Sequence, residues 1–117
     1  MADIKYSKPA ASAGWIAPDG RFYSCAWYQH ESLGQNLMQQ FGYHSIEEWE
    51  RNWVRLKYDP VTRAAPFIEN DGIDENPITQ AQLNTLYDVF TAFLLAGVDV
   101  AHLREYIQRA NVRMPKR

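Results

Sequence analysis

The spacing of apolar and polar positions divides the chain into a series of short elements. Residues 1–14 mix Lys, Pro, Ser and Ala with no period and read as a mobile arm. Trp15-Ile16-Ala17 then runs into Pro18-Asp19-Gly20, a turn cluster in which Pro presets φ and Gly admits a positive one. Residues 21–27 follow as a β-prone run, with Phe22, Ser24 and Ala26 on one face and Tyr23, Cys25 and Trp27 on the other. Both faces carry apolar atoms, so one is expected to support a helix and the other a less obvious contact.

A helix is predicted from about 29–32 onward, Ser32 and Gln35 having capping-box spacing. Leu33, Leu37 and Phe41 recur every four residues beside Met38 and define its buried stripe; Gly34 weakens it or marks a close packing contact, and Gly42 ends it. Ser45 and Glu48 form a second capping box, opening a short helix that carries Ile46 and Trp49. The period then changes to two: Val54, Leu56 and Tyr58 face one way, Arg55 and Lys57 the other, as in a strand with one solvated face. Asp59-Pro60 breaks it, and a partner strand is predicted within 64–69, where Pro66 favours an edge position. After a polar loop at 69–76 comes the strongest helix, with Thr79 and Gln82 as its capping box and Leu83, Leu86, Tyr87, Phe90 and Leu94, joined by Phe93, as its apolar face. Gly97 closes it. Asp99 caps a last helix with Leu103, Ile107 and Ala110 buried, and Val98 and Leu103 stand at hydrophobic-staple spacing. The order β-β-α-α-β-β-α-α, dominated by hairpins, predicts an α+β fold: a small antiparallel sheet with helices on one face, ending in a C-terminal helical hairpin. The expected organisation is an arm over 1–14, one domain over 15–112 and a basic tail over 113–117.

Composition agrees with one globular domain. The chain has 117 residues, 46% hydrophobic and 22% charged, enough for a single core without covalent staples. A net charge of −2 argues against a strongly basic nucleic-acid coat and is too mild for an acidic DNA mimic. Cys25 is the only cysteine, so no intramolecular disulfide and no multi-cysteine zinc site can form. The start has no apolar stretch of signal-peptide length, and the longest apolar run, at 93–98, is far short of a membrane span. A soluble protein of the reducing bacterial cytoplasm is expected, with no membrane partner.

Candidate chemistry is sparse. Cys25 and His30 form the one tempting nucleophile–base pair, yet no third orienting group or Gly-rich nucleophile turn accompanies them. His30, His44 and His102 stand fourteen and then fifty-eight residues apart, matching no metal-binding spacing. Glu69, Asp71, Asp74 and Glu75 crowd carboxylates into one loop. EF-hand spacing fails there because Phe67 takes a ligand position, and a solvated connector or a docking site for an arginine-rich partner fits better. No phosphate-cradling glycine string occurs, and no catalytic residue, metal or cofactor is expected. Arg51, Arg55 and Lys57 with the basic tail (Arg113 onward), interleaved with aromatics, form a candidate nucleic-acid surface balanced by Glu47, Glu48 and Glu50. Four Trp and seven Tyr exceed what two small stripes need, so some are expected to be interface anchors. Trp15, Tyr23, Trp27 and Trp53 are the candidates, together with the acidic loop residues. Phe93 and Leu95, outside the main helical stripe, leave room for a homodimer.

The stretch from Gly14 through Trp15-Ile16-Ala17-Pro18-Asp19-Gly20-Arg21-Phe22 to Tyr23, followed by Cys25 and His30, resembles the opening of small uncharacterised proteins of phages and other bacterial mobile elements. Trp53-Val54-Arg55-Leu56 and Thr79-Gln80-Ala81-Gln82-Leu83 fit the later elements of that pattern, loosely covering the first eighty or ninety residues. The chain departs from it at Ser24, where proline is expected, and near Gly34, where alanine is. The resemblance implies a mobile-element accessory protein with no assigned reaction. Its extension is a non-enzymatic protein that binds a larger host complex, such as an anti-CRISPR-like inhibitor of a defence system. A nucleic-acid-binding accessory protein and a small Cys/His enzyme or metal protein are the alternatives.

Overall fold

A computed structural model describes residues 4–62, 64–70 and 77–113. The fold is α+β. Strands β1 (Ala13–Ile16), β2 (Phe22–Cys25), β3 (Val54–Lys57) and β4 (Phe67–Ile68) form one antiparallel sheet in the order β2-β1-β3-β4. Helices α1 (His30–Gln40) and α2 (Ile46–Glu50) lie between the two hairpins, and α3 (Gln80–Leu95) and α4 (Ala101–Arg113) complete the chain as a helical pair. The element order is the one the periodicities predict. Pro66 stands immediately before the edge strand β4, where its missing N–H costs no ladder bond.

Alternation along β1 and β3 sorts the sheet side chains into two cores. Ile16, Phe22, Val54, Leu56 and Ile68 pack against α3 and α4, on Leu86, Val89, Phe93, Leu103 and their neighbours. Trp15, Ala17, Tyr23 and Trp53 point the other way and meet Leu37 of α1 and Trp49 of α2. The sheet is therefore covered on both faces, not on the single face expected. The cause is side-chain size: Trp15, Tyr23 and Trp53 on the second face leave an apolar layer that only a roof of helices removes from water.

Several local expectations are met. Ser45 caps α2 by accepting from the Glu48 amide, although the Glu48 carboxylate accepts from the His44 amide and leaves that box half-formed, and Thr79 and Gln82 form a reciprocal capping box on α3. Asp99 accepts from the Ala101 amide, and Leu103, Ile107 and Ala110 are buried. Gly97 takes φ +76° at the α3–α4 turn, a conformation that side chains other than glycine adopt at a cost.

Others are corrected. Ser32 does not cap α1; its hydroxyl donates to the Gln29 carbonyl, and Gln29 precedes the helix with no side-chain cap. The buried stripe of α3 runs through Gln82, Leu83, Leu86, Val89 and Phe93, leaving Tyr87 and Leu94 exposed. Residues 4–12, expected as an arm, contact the domain: the Ile4 amide donates to Gln40 Oε1, and Ser7 bridges to Phe22. The sheet begins at Ala13, two residues before the expected domain start, because β1 pairs with β2 from Ala13 and with β3 from Gly14.

Candidate functional site

The roofed face of the sheet carries the chemistry. Arg55, expected on a solvated face, is 6% exposed. It lies under the roof of α1 and α2, and its guanidinium is tied on three sides: Nη1 to Glu50 at 2.7 Å, Nη2 to Glu69 at 2.8 Å, and Nη2 to Glu31 at 3.7 Å. The indole of Trp15 supports it from one face at 5.0 Å. Lys57, two residues along the same face, reaches Glu31 at 3.3 Å and Glu69 at 3.2 Å. Two cations thus share three carboxylates drawn from α1, α2 and the end of β4. Asn70 extends the ladder beyond β4, accepting from the Arg55 amide and donating to the Trp53 and Glu50 carbonyls.

His30 begins α1 beside this network. It is 1% exposed, its ring stacks on Trp15 at 4.2 Å, and neither ring nitrogen has a hydrogen-bond partner. Burial holds the imidazole below its ordinary pKa, and the charge of Lys57 adds to that; Glu31 and Glu69 pull weakly the other way. The Gly14 backbone also favours the charged form, although its geometry falls short of a hydrogen bond. The imidazole is neutral at pH 7. For Glu31, burial opposes ionisation, but Lys57, Arg55 and His30 outweigh it and hold the carboxyl below the usual range. For Lys57, burial opposes the charge, and Glu69 and Glu31 outweigh it and raise the pKa.

A cleft of about 120 Å³ opens next to His30. Its walls come from Trp27 and His30, from β3 and its exit at 57–59, and from Ala64, Ala65 and Phe67 before and within β4. Trp27 occupies a 3-10 turn, not the strand predicted, so its ring stands at the cleft rim, 39% exposed, with Tyr28 edge-on to it at 5.9 Å. Tyr28 is 70% exposed, and Phe67, also exposed, lines the same cleft.

The predicted site residues divide accordingly. Trp15, Tyr23 and Trp53 are core residues and present no docking surface, because α1 and α2 cover their face. Trp27 is on the surface. Glu69 is held by Arg55 and Lys57, while Asp71, Asp74 and Glu75 lie outside the described residues. Of the nucleic-acid candidates, Arg55 and Lys57 are consumed in ion pairs and Arg51 is exposed. Arg113 ends α4, its side chain outside the described set. No hydrogen bond joins Cys25 to His30 among the described residues, and burial pushes the Cys25 thiol up to about 11, so it is protonated at neutral pH. Sequence reasoning missed Phe67 and the orphaned His30 ring; Tyr28 was visible with Trp27 in the aromatic surplus, but the exposure of the pair depends on the turn that ends β2. No helix among the described residues is long and apolar enough to cross a membrane. No protein-family model, curated protein or solved structure matches this chain.

Proposed function

We propose that this chain is a non-enzymatic binding protein of the phage or mobile-element accessory type, which docks on a larger host protein complex and inhibits a defence system in the bacterial cytoplasm. What carries this is the aromatic rim: Trp27 and Tyr28 stand exposed, Trp27 lines a cleft, and Phe67, also exposed, lines the same cleft. Such side chains combine apolar area with a polar handle and are favoured as interface hot spots. The buried charge network behind the rim supports the same view. Arg55 and Lys57, satisfied by carboxylates, offer little to a phosphate backbone, which weighs against the nucleic-acid alternative.

The test is expression in bacteria carrying individual defence systems, challenged with phage, beside quantitative capture of host proteins. The wild-type chain is expected to raise plating on at least one host and to hold a defined complex. Trp27→Ala/Tyr28→Ala, with an unchanged circular dichroism spectrum, is expected to lose both. Equal capture by the wild type and the double variant, or unchanged plating on every host, refutes the proposal. Salt-steep oligonucleotide binding in place of protein capture would transfer the function to nucleic acid.

A further inference from the structure

The α3–α4 layer leaves one side of α3 uncovered. The buried stripe of α3 faces the sheet through Leu83, Leu86, Val89 and Phe93, so Phe93, expected to share in a homodimer, is not available to one. On the outer side Gln80, Asn84, Tyr87, Thr91 and Leu94 follow one another at intervals of four, three, four and three residues. That is the spacing of a coiled-coil seam, which packs on a second helix. All five are exposed, and Leu95 beside them is 84% exposed. None of the six side chains is charged. Their polar groups are paired within the layer: Gln80 Nε2 donates to Asn84 Oδ1, Thr91 Oγ1 to the Tyr87 carbonyl, and Asn111 Nδ2 of α4 to the Tyr87 hydroxyl. Covering the seam therefore does not leave these groups unpaired. Charge stands at the flanks. At 3.6 residues per turn Asp88 projects from one side of the seam and Phe90 from the other, and Arg104 of α4 lies over the Phe90 ring at 5.6 Å. Among the described residues neither Asp88 nor Arg104 has an ion-pair partner.

We propose that α3 pairs with α3 of a second copy in a parallel two-fold dimer, with Tyr87, Thr91, Leu94 and Leu95 packing on their counterparts and Asp88 of each copy paired with Arg104 of the other. A two-fold axis along the seam carries each flank onto the opposite flank of the other copy, so carboxylate meets guanidinium on both sides at once. An axis across the seam reverses the helices and lays each flank on its own counterpart, Asp88 toward Asp88, without that attraction. The fit selects a second copy among helical partners: the seam needs an uncharged face, and its flanks need opposite charges at the same height. α3 is about 24 Å long, and with α4 beside it the layer is roughly 20 Å across. Such a face falls toward the lower end of stable interfaces, so the dimer is expected to dissociate in the micromolar range. The seam belongs to the layer opposite the aromatic rim, so pairing leaves both rims open, and the inference stands whether or not they dock.

The experiment is sedimentation equilibrium of the full chain across micromolar concentrations, where the wild type is expected to show a monomer–dimer equilibrium. Leu94→Glu and Leu94→Lys, each with an unchanged circular dichroism spectrum, are expected to be monomeric throughout. Their equimolar mixture is expected to dimerise again, because position 94 meets its own counterpart. Asp88→Arg should weaken the dimer about tenfold, two attractions having become repulsions, and Asp88→Arg/Arg104→Asp should restore it. Trp27→Ala/Tyr28→Ala should dimerise as the wild type does, the rim being outside the interface. A wild-type chain that stays monomeric at every concentration overturns the proposal, as does a dimer indifferent to both Leu94 substitutions or a Leu94→Glu and Leu94→Lys mixture that stays monomeric. A double charge variant that dimerises no better than Asp88→Arg overturns the parallel pairing. Capture of a host protein by a monomeric wild type, lost in Leu94→Lys, overturns it as well and assigns the seam to that partner.

Discussion

Burial of His30 against Trp15, with the charge of Lys57 nearby and no hydrogen bond to either nitrogen, makes protonation of one residue unfavourable in the folded state. Its folded pKa lies below 6.5, so below that pH the unfolded chain binds the extra proton more readily than the native one. Stability is then fully present above pH 6.5 and declines as pH falls toward the folded value. Each unit of depression corresponds to about 1.4 kcal/mol. Glu31, shifted down, contributes in a separate window, present above 4.5 and lost as pH falls through its folded value. Urea midpoints at pH 7.5 and 5.5, compared between the wild type and His30→Phe, separate His30 from His44 and His102. The wild type is expected to be less stable at 5.5, and His30→Phe to lose most of that difference; identical midpoints for the wild type at the two pH values would exclude a depressed His30. Little of this was legible in the sequence, where His30 reads as a helix-start residue. Arg55 was misread for a related reason: strand alternation gives its face correctly, but whether that face meets water depends on α1 and α2 arriving over it.

At the level of elements, signals closed within a few residues held at three helix starts and failed at α1, where Ser32 donates to the Gln29 carbonyl instead of capping the helix. The Thr79–Gln82 capping box, the Ser45 cap and the Asp99 hydrogen bond to the Ala101 amide all form, because each needs only local chain to satisfy it. The phase of α3 was not local. Apolar residues occur around most of that helix, so several stripes fit its period, and long-range bonds select among them. Gln82 Nε2 donates to the Ile16 and Asn52 carbonyls, and Thr85 Oγ1 donates to the Gly20 carbonyl. These turn two polar residues inward and Tyr87 and Leu94 outward. Gly34 shows the opposite case, an anomaly whose meaning the sequence could state only as a choice. The second choice holds: a Cβ at Gly34 would overlap the indole of Trp15, so glycine is what lets α1 settle onto the sheet. Gly34→Ala is expected to destabilise the protein. The overpacking costs about 1–3 kcal/mol, partly offset by roughly 1 kcal/mol of improved helix propensity. Thermal unfolding of the variant measures the balance, and a midpoint at or above that of the wild type would show that the indole can yield.

Across the whole molecule, one thin sheet separates two cores whose residues alternate along the same strands. Trp15 and Ile16 are adjacent in β1 and belong to different cores, as do Trp53 and Val54 at the start of β3. Neither helical layer can leave without stripping one face of every central strand, so the two layers are expected to unfold together. The distribution of chromophores makes this measurable. All four tryptophans lie on the α1–α2 side, three of them in its core and Trp27 at the cleft, whereas most helical residues belong to α3 and α4 on the other side. Tryptophan fluorescence therefore reports one layer and far-UV circular dichroism mainly the opposite one. Leu103→Ala removes a fully buried side chain of α4 and is expected to cost about 2–5 kcal/mol. Because Leu103 touches only the core without tryptophans, its effect on fluorescence must travel through the sheet. The variant's fluorescence and dichroism midpoints should fall by the same amount and stay coincident, as expected for a single cooperative domain of this length. A fluorescence midpoint that stays at the wild-type value while the dichroism midpoint drops would mean that the two layers melt independently. The charge network on the roofed face would then be a local clasp on α1 and α2, with no part in joining the halves.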